Sequence, residues 1–145
     1  MFKHILLPLD DSGASRNAAR KTIAFARQTG ARITGYHALP DCPRAVYGDG
    51  YRFPQMGNTK QELHDARVHL IEGTARAARD AGVRFDTLVD HARTPVEGIV
   101  DAARKRRCDA IFMGTNGRSG LARLALGSVT GTVIAHSDVP VLVYR

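Results

Sequence analysis

Residues 110–117 read AIFMGTNG, so four apolar residues lead directly into a glycine-marked turn. A short, wholly apolar run of this kind is typical of a central strand that is buried on both faces of a parallel sheet. Open parallel sheets collect their ligands outside the carboxyl ends of their strands, at the point where the winding reverses. The first and fourth strands commonly flank that point, which predicts that Asp10 and Gly114 lie side by side.

Strand and helix signals alternate along the rest of the chain. Short apolar runs predict strands at residues 2–9, 32–39, 83–90, 110–113 and 139–144. Helical spacing of apolar residues predicts helices at residues 14–29, from a cap at Asn58 or Thr59 to Gly82, from Pro95 onward, and at residues 127–135. Residues 40–58 are predicted to form a long loop. The alternation predicts an α/β fold, a parallel sheet covered by helices on both faces.

Two helix starts carry explicit capping signals. Thr94-Pro95-Val96-Glu97 has the pattern of a capping box with proline at the first helical position. Asp11 and Ser12 are candidate caps for the start of the first helix, and Gly30 is its predicted C-cap. We expect Val96, Ile99, Val100 and Ala103 to form the buried stripe of the third helix.

Length and composition predict one domain over residues 1–145, since 43% hydrophobic residues suffice for one core. The first nine residues combine charge with a short apolar run that meets Pro8, so neither a secretory signal nor a membrane span is predicted and a cytoplasmic location is expected. Cys42 and Cys108 have no CxxC or histidine companion, which predicts reduced thiols, and Cys108, just before an apolar run, is expected to be structural. The six histidines are scattered, and His64 and His69 lie off metal-ligand spacing, so no metal site is predicted.

The charge balance favours anionic ligands. The chain has 21 Lys and Arg against 14 Asp and Glu, a formal net charge of +7. Nucleic-acid recognition usually needs aromatic stacking surfaces or a recognition helix, whereas 6% of these residues are aromatic and none is Trp. We therefore expect neither nucleic acid nor membrane as a partner.

Glycines and a helix start give the predicted crevice the chemistry of a phosphate site. Gly114, Gly117 and Gly127 let the backbone approach a ligand closely. The predicted fourth helix adds unpaired amides and the positive end of its dipole. Those amides belong to Ser128, Val129 and Thr130.

The spacing Gly114-x2-Gly117-x9-Gly127-Ser128 after an apolar strand resembles the nucleotide-binding signature of the ATP-binding universal stress proteins. The resemblance spans the whole chain. It includes the opening residues 5–10, ILLPLD, and the closing residues 139–143, VPVLV.

This resemblance implies an open five-stranded parallel sheet of order 3-2-1-4-5, an adenine nucleotide alpha hydrolase-like fold. It implies that ATP, ADP or AMP is the ligand, with Asp10 a candidate for the ribose hydroxyls or a Mg²⁺ shell. The nucleotide-binding set carried over from the family is Pro8, Leu9, Asp10, Ala38, Met113, Gly114, Gly117, Gly127, Ser128, Val129 and Thr130. Arg118 is added because its charge suits the phosphates.

The last strand predicts a homodimer. At the edge of the sheet it would present backbone groups to a second copy. The residues expected at that interface are Val139, Val141, Leu142 and Val143. The family resemblance implies the same pairing.

Three other functions are weighed against a nucleotide-dependent regulator of the stress response. A phosphorylatable receiver domain would use Asp10, Asp11 and Asp90, but it needs a lysine and a fifth helix that the sequence to Arg145 does not supply. An adenine-nucleotide enzyme would need a placed base or a phosphate-binding lysine, and no GxxxxGK[ST] sequence is present. A dimeric interaction module of the same fold, without nucleotide, stays open as the alternative.

Overall fold

The computed structural model describes residues 1–10, 12–40, 60–115 and 127–145. The strands are β1 His4–Pro8, β2 Arg32–Pro40, β3 Phe85–Ala92, β4 Ala110–Gly114 and β5 Val141–Tyr144. The helices are α1 Gly13–Thr29, α2 Lys60–Asp80, α3 Pro95–Lys105 and α4 Ser128–His136. Most of the predicted loop, and the predicted site residues Gly117 and Arg118, lie outside the described residues.

The five strands form one parallel sheet in the order β3-β2-β1-β4-β5, which confirms the predicted fold. β1 pairs with β2 on one side and with β4 on the other. The winding therefore reverses between β1 and β4, where Ile5 lies opposite Ala110. This is the position at which open α/β sheets bind ligands.

Both faces of the sheet are buried because neighbouring side chains alternate between them. On one face Leu7 and Phe112 join the core cluster that contains α1 residues, and on the other Leu6 and Ile111 pack with α3 residues. Phe112 is edge-on to Phe2, with ring centroids 5.8 Å apart. Within the described ranges no helix combines the length and apolar character needed to cross a membrane.

The predicted caps of α1 are confirmed. Ser15 N donates to the Oγ of Ser12, the N-cap, at 3.1 Å. At the other end Gly30 adopts φ 74° and its N–H donates to Ala26 O at 2.8 Å. A left-handed C-cap of this kind suits glycine, since it carries no Cβ.

The capping box of α3 is only half formed. Glu97 N donates to Thr94 Oγ1 at 3.2 Å, as predicted. The Glu97 carboxylate, however, accepts a hydrogen bond of 2.8 Å from Arg93, four residues earlier, and forms an ion pair with it. Its pKa is lowered by that hydrogen bond. The buried stripe also differs from prediction, because Gly98 and Ala102 are buried whereas Val96 and Val100 are half-buried.

Three strands begin two residues later than predicted, the first of them β1, which starts at His4. β3 starts at Phe85 because Val83 N is still bonded to Ala78 O at the end of α2, at 2.9 Å. β5 starts at Val141, since Val139 N donates to Ser137 Oγ in the preceding turn. Val139, expected at the strand interface, therefore precedes the strand and packs against the core.

Candidate functional site

A cavity of about 370 Å³ lies at the carboxyl ends of β1 and β4, a size within the usual range for small-molecule sites. Its lining comes from the loop after β1, from β2 and β4, and from the first turns of α1, α3 and α4. The residues are Pro8, Leu9, Asp10, Ser12, Ser15, Tyr36, His37, Ala38, Pro95, Ile99, Met113, Gly114, Gly127, Ser128, Val129 and Thr130.

Every described residue of the predicted nucleotide-binding set lines this one cavity. Asp10 and Gly114, predicted to lie side by side, both line it. The sequence did not predict Ser12, Ser15, Tyr36, His37, Pro95 and Ile99 as lining residues. A signal was available for two of them, because Tyr36 and His37 directly precede Ala38 on the strand that pairs with β1.

The loop after β1 holds Asp10 in place through backbone hydrogen bonds. Asp10 Oδ1 accepts from Ser12 N at 2.8 Å, and Asp10 N donates to Ser15 Oγ at 3.0 Å. Leu9 N donates to Tyr36 O at 2.8 Å, which ties the loop to β2. The Asp10 side chain is exposed, so a fixed carboxylate lines the cavity.

β2 contributes two ring side chains. His37 Nδ1 donates to Leu9 O at 2.7 Å, so this ring is oriented by the same loop. Tyr36 is 1% exposed, and burial, followed by Asp90 and Asp101, raises the pKa of its hydroxyl. The hydroxyl fits against α3 because residue 98 is glycine, where a Cβ would also lie 2.8 Å from Ala92 Cβ.

The first turn of α4 presents backbone amides to the cavity. Gly127 is the N-cap, with φ −53° and ψ 152°, and as a glycine it supplies no capping side chain. Its own N–H donates to Thr115 Oγ1 at 3.3 Å. The next three amides, those of Ser128, Val129 and Thr130, begin the helix and line the cavity. The helix dipole makes this position favourable for an anion.

The described lining offers the first-turn residues of α4 and one carboxylate, that of Asp10. Among the described residues no group of three or more His, Cys, Asp or Glu is placed to hold a metal ion. Mg²⁺ commonly binds through one or two carboxylates together with substrate phosphates. Asp10 supplies one carboxylate, so the lining fits Mg²⁺ that arrives with a phosphate ligand.

Cys108, outside the cavity, is buried and free. Burial raises the pKa of its thiol to about 11. This agrees with the predicted structural thiol, because a buried, protonated thiol is unreactive.

Comparisons with known proteins agree with this geometry. The profile of the universal stress protein family matches residues 1–145. A universal stress protein from Thermus aquaticus is 34% identical over 146 residues, covering all of both chains.

Two solved structures share the fold at low sequence identity. A universal stress protein in complex with cAMP superimposes with a TM-score of 0.74 at 20% identity, over 99% of this chain and 97% of that one. One from Archaeoglobus fulgidus in complex with dAMP gives 0.70 at 19% identity, over 100% and 98%. With the family profile covering the full sequence, the chain belongs to the universal stress protein family.

Proposed function

We propose that the cavity between β1 and β4 binds an adenine nucleotide, with ATP, ADP and AMP as candidates. The observation that carries the proposal is the first turn of α4, whose uncapped amides line a cavity at the reversal point of the sheet. Backbone N–H groups and the helix dipole together favour phosphate at such a position.

The two sides of the cavity suggest how the nucleotide lies. Pro8, Leu9, Ala38 and Met113 supply an apolar side suited to the base. Ser128 and Thr130 stand at the amide side suited to the phosphates. Asp10 lines the same cavity, where its carboxylate suits the ribose hydroxyls or a Mg²⁺ shell.

The choice of adenine is supported by the two structural neighbours, one solved with cAMP and one with dAMP. The role we propose is that of a nucleotide-dependent regulator in the cytoplasmic stress response, working as a single-domain homodimer. We propose binding without catalysis as the main activity, because no lysine or arginine is found in the described lining and no metal-ligand group is found among the described residues.

Titration calorimetry with ATP and Mg²⁺ tests the proposal. Gly127→Val is the informative variant, since a Cβ there meets nothing closer than Thr115 Oγ1 at 3.8 Å and the fold should survive. Its methyl groups would cover the amides, which contribute up to ~2 kcal/mol to anion binding, so affinity should fall roughly tenfold or more. Gly73→Val on the exposed face of α2 is the matched control, because a Cβ there has no neighbour within 4 Å.

The alternative is a dimeric interaction module that binds no nucleotide. Folded, nucleotide-free wild type that takes up neither ATP, ADP nor AMP would favour this alternative. If Gly127→Val lowered the nucleotide affinity no more than Gly73→Val does, the nucleotide would have to bind away from the α4 amides.

A further inference from the structure

We propose that the amino end of the sheet, opposite the cavity, is a docking surface for an extended acidic segment of a partner protein. Its recognition element is a line of five cations, Lys3, Arg32, Arg84, Arg106 and Arg107, which we call the cation row. All five side chains are exposed.

The strand order places these residues in a line. Arg84, Arg32 and Lys3 stand at the starts of β3, β2 and β1, which are neighbours in the sheet. Backbone hydrogen bonds join them in that order, because Ile33 N donates to Arg84 O and Arg32 N donates to Lys3 O, each at 2.9 Å. With strands about 4.8 Å apart, one cation follows the next at about that interval.

The turn between α3 and β4 extends the row beyond β1. Arg106, the C-cap of α3, and Arg107 follow the helix, and Asp109 N then donates to His4 O at 2.9 Å. The row therefore crosses the starts of four adjacent strands, roughly 14 Å from β3 to β4.

No side chain of the cation row forms a hydrogen bond or an ion pair with another described residue. The Asp109 carboxylate, two residues after Arg107, instead accepts from the backbone amides of Lys3 and His4 at 2.8 and 3.1 Å. The exposed Arg104 gives a contrast, because its side chain is paired with Asp138 at 2.6 Å. Like charges held together without partners repel one another, and a polyanion would relieve that repulsion.

Helix dipoles can account for only two residues of the row, because Arg106 is the C-cap of α3 and Arg107 follows it. Cations in the last turns of the helices, such as Arg27, Arg79 and Arg104, compensate the negative helix ends. Lys3, Arg32 and Arg84 instead lie outside the helices, where they precede or begin strands.

The chemistry of the row favours an acidic peptide over nucleic acid. The nearby rings Phe2 and Phe85 pack against the core, so the row offers no platform for stacked bases. A nucleic-acid duplex would bring few phosphates close to a straight row of cations. An extended peptide can instead run along the whole row, and the side chains on one face of such a peptide are about 7 Å apart. Guanidinium groups also match carboxylates in a two-pronged geometry.

Fluorescence anisotropy of labelled poly-L-glutamate with the full chain tests this proposal. Wild type should bind at low salt and release the probe as salt rises. Lys3→Glu with Arg32→Glu should weaken binding about tenfold or more, because attraction becomes repulsion at the centre of the row. The control is Arg20→Glu with Arg76→Glu, which makes the same change in net charge on exposed faces of α1 and α2 and should retain binding near the wild-type level.

Equal losses in the two double variants would overturn the proposal, since net charge alone would then explain binding. Tighter binding of labelled single- or double-stranded DNA than of poly-L-glutamate at the same salt would also overturn it, in favour of nucleic acid. Binding to phosphatidylserine vesicles without binding to poly-L-glutamate would identify a membrane surface instead. Absence of poly-L-glutamate binding by folded wild type at low salt would reject the proposal outright.

Discussion

Gly114 and Gly127 look alike in the sequence but are subject to different packing constraints. A Cβ on Gly114 would collide with the backbone of Ala14, 2.6 Å from its carbonyl carbon. The start of α1 therefore requires glycine at 114 whether or not a ligand binds. At Gly127 no described atom excludes a side chain, so its glycine is better explained by access to the helix amides.

Gly114→Ala should consequently destabilise the fold. Forcing a methyl group against backbone typically costs ~1–3 kcal/mol, because the neighbouring helix must move. Urea unfolding should show this loss, while Gly127→Ala should lie within about 0.5 kcal/mol of wild type. Equal stability of Gly114→Ala and wild type would contradict the tight contact with Ala14.

His4 is a buried polar residue with an incomplete set of partners. It is 6% exposed, and its Nε2 lies 2.8 Å from Thr34 Oγ1, whereas its Nδ1 has no hydrogen-bond partner in the described chain. Burial, followed by Arg32, lowers the pKa of His4 below its usual 6.5 against the opposing effect of Asp109. The ring is therefore held neutral in the fold.

This neutral ring predicts a loss of stability in acid. The unfolded chain takes up the proton near pH 6.5, before the folded chain does, so the unfolding free energy should fall as pH drops below that value. The decline from this group ends below its folded pKa. His4→Gln should flatten the pH dependence of the thermal midpoint between neutral and mildly acidic pH.

His69 provides the contrasting control. Its hydrogen bond with Glu72 raises the pKa, so its contribution is present at low pH and lost as pH rises through the folded value. His69→Gln should therefore not flatten the acid decline. An unchanged profile in His4→Gln would assign that decline to other groups.

At the scale of elements, β5 is the exposed edge of the sheet next to β4. The carbonyls of Pro140 and Tyr144 accept from Ile111 N and Thr115 N of the β4 side, at 2.9 and 3.0 Å. Backbone groups alternate in direction along a strand, so those of Val141 and Val143 point away from β4. They are suitable for pairing with a second copy, as the proposed homodimer requires.

Val143→Pro should therefore convert the proposed dimer to a monomer. Proline removes an N–H that faces the open edge and leaves the β4 hydrogen bonds intact. Val143→Ala retains the N–H and should stay dimeric. Sedimentation velocity at micromolar concentration decides, and a monomeric wild type or a dimeric Val143→Pro would rule out this interface.

At the scale of elements, local sequence patterns were sufficient to predict the helix caps of α1 but not the packing of β2. Ser12 caps the start of α1 and Gly30 caps its end, as predicted, because a cap is formed by residues that are close together in the sequence. β2 extends over Arg32–Pro40, one residue beyond the predicted range, and its pairing with both β1 and β3 stabilises it. Its Gly35 accommodates the Phe85 ring of β3, a contact between residues far apart in the chain.

Across the whole molecule the two ends of the sheet differ in chemistry. The carboxyl end holds the cavity with the α4 amides, and the amino end holds the cation row. Because the two surfaces lie at opposite ends of the sheet, a nucleotide in the cavity and a partner on the cation row could be bound at the same time. Because the residues of the row come from four separate places in the chain, their alignment is a consequence of sheet order.

The sequence alone determined the α/β class and, through its family resemblance, the strand order, and it predicted most of the described residues at the carboxyl ends of β1 and β4 that line the cavity. These follow from apolar periodicity, caps and glycine spacing, all of which are local signals. Only the tertiary structure decided that Gly114 packs on Ala14, that Tyr36 and His37 line the cavity, and that the basic residues form a row. The physical reason is that parallel strands joined through helices bring together residues whose separation in the chain carries no record of their contact.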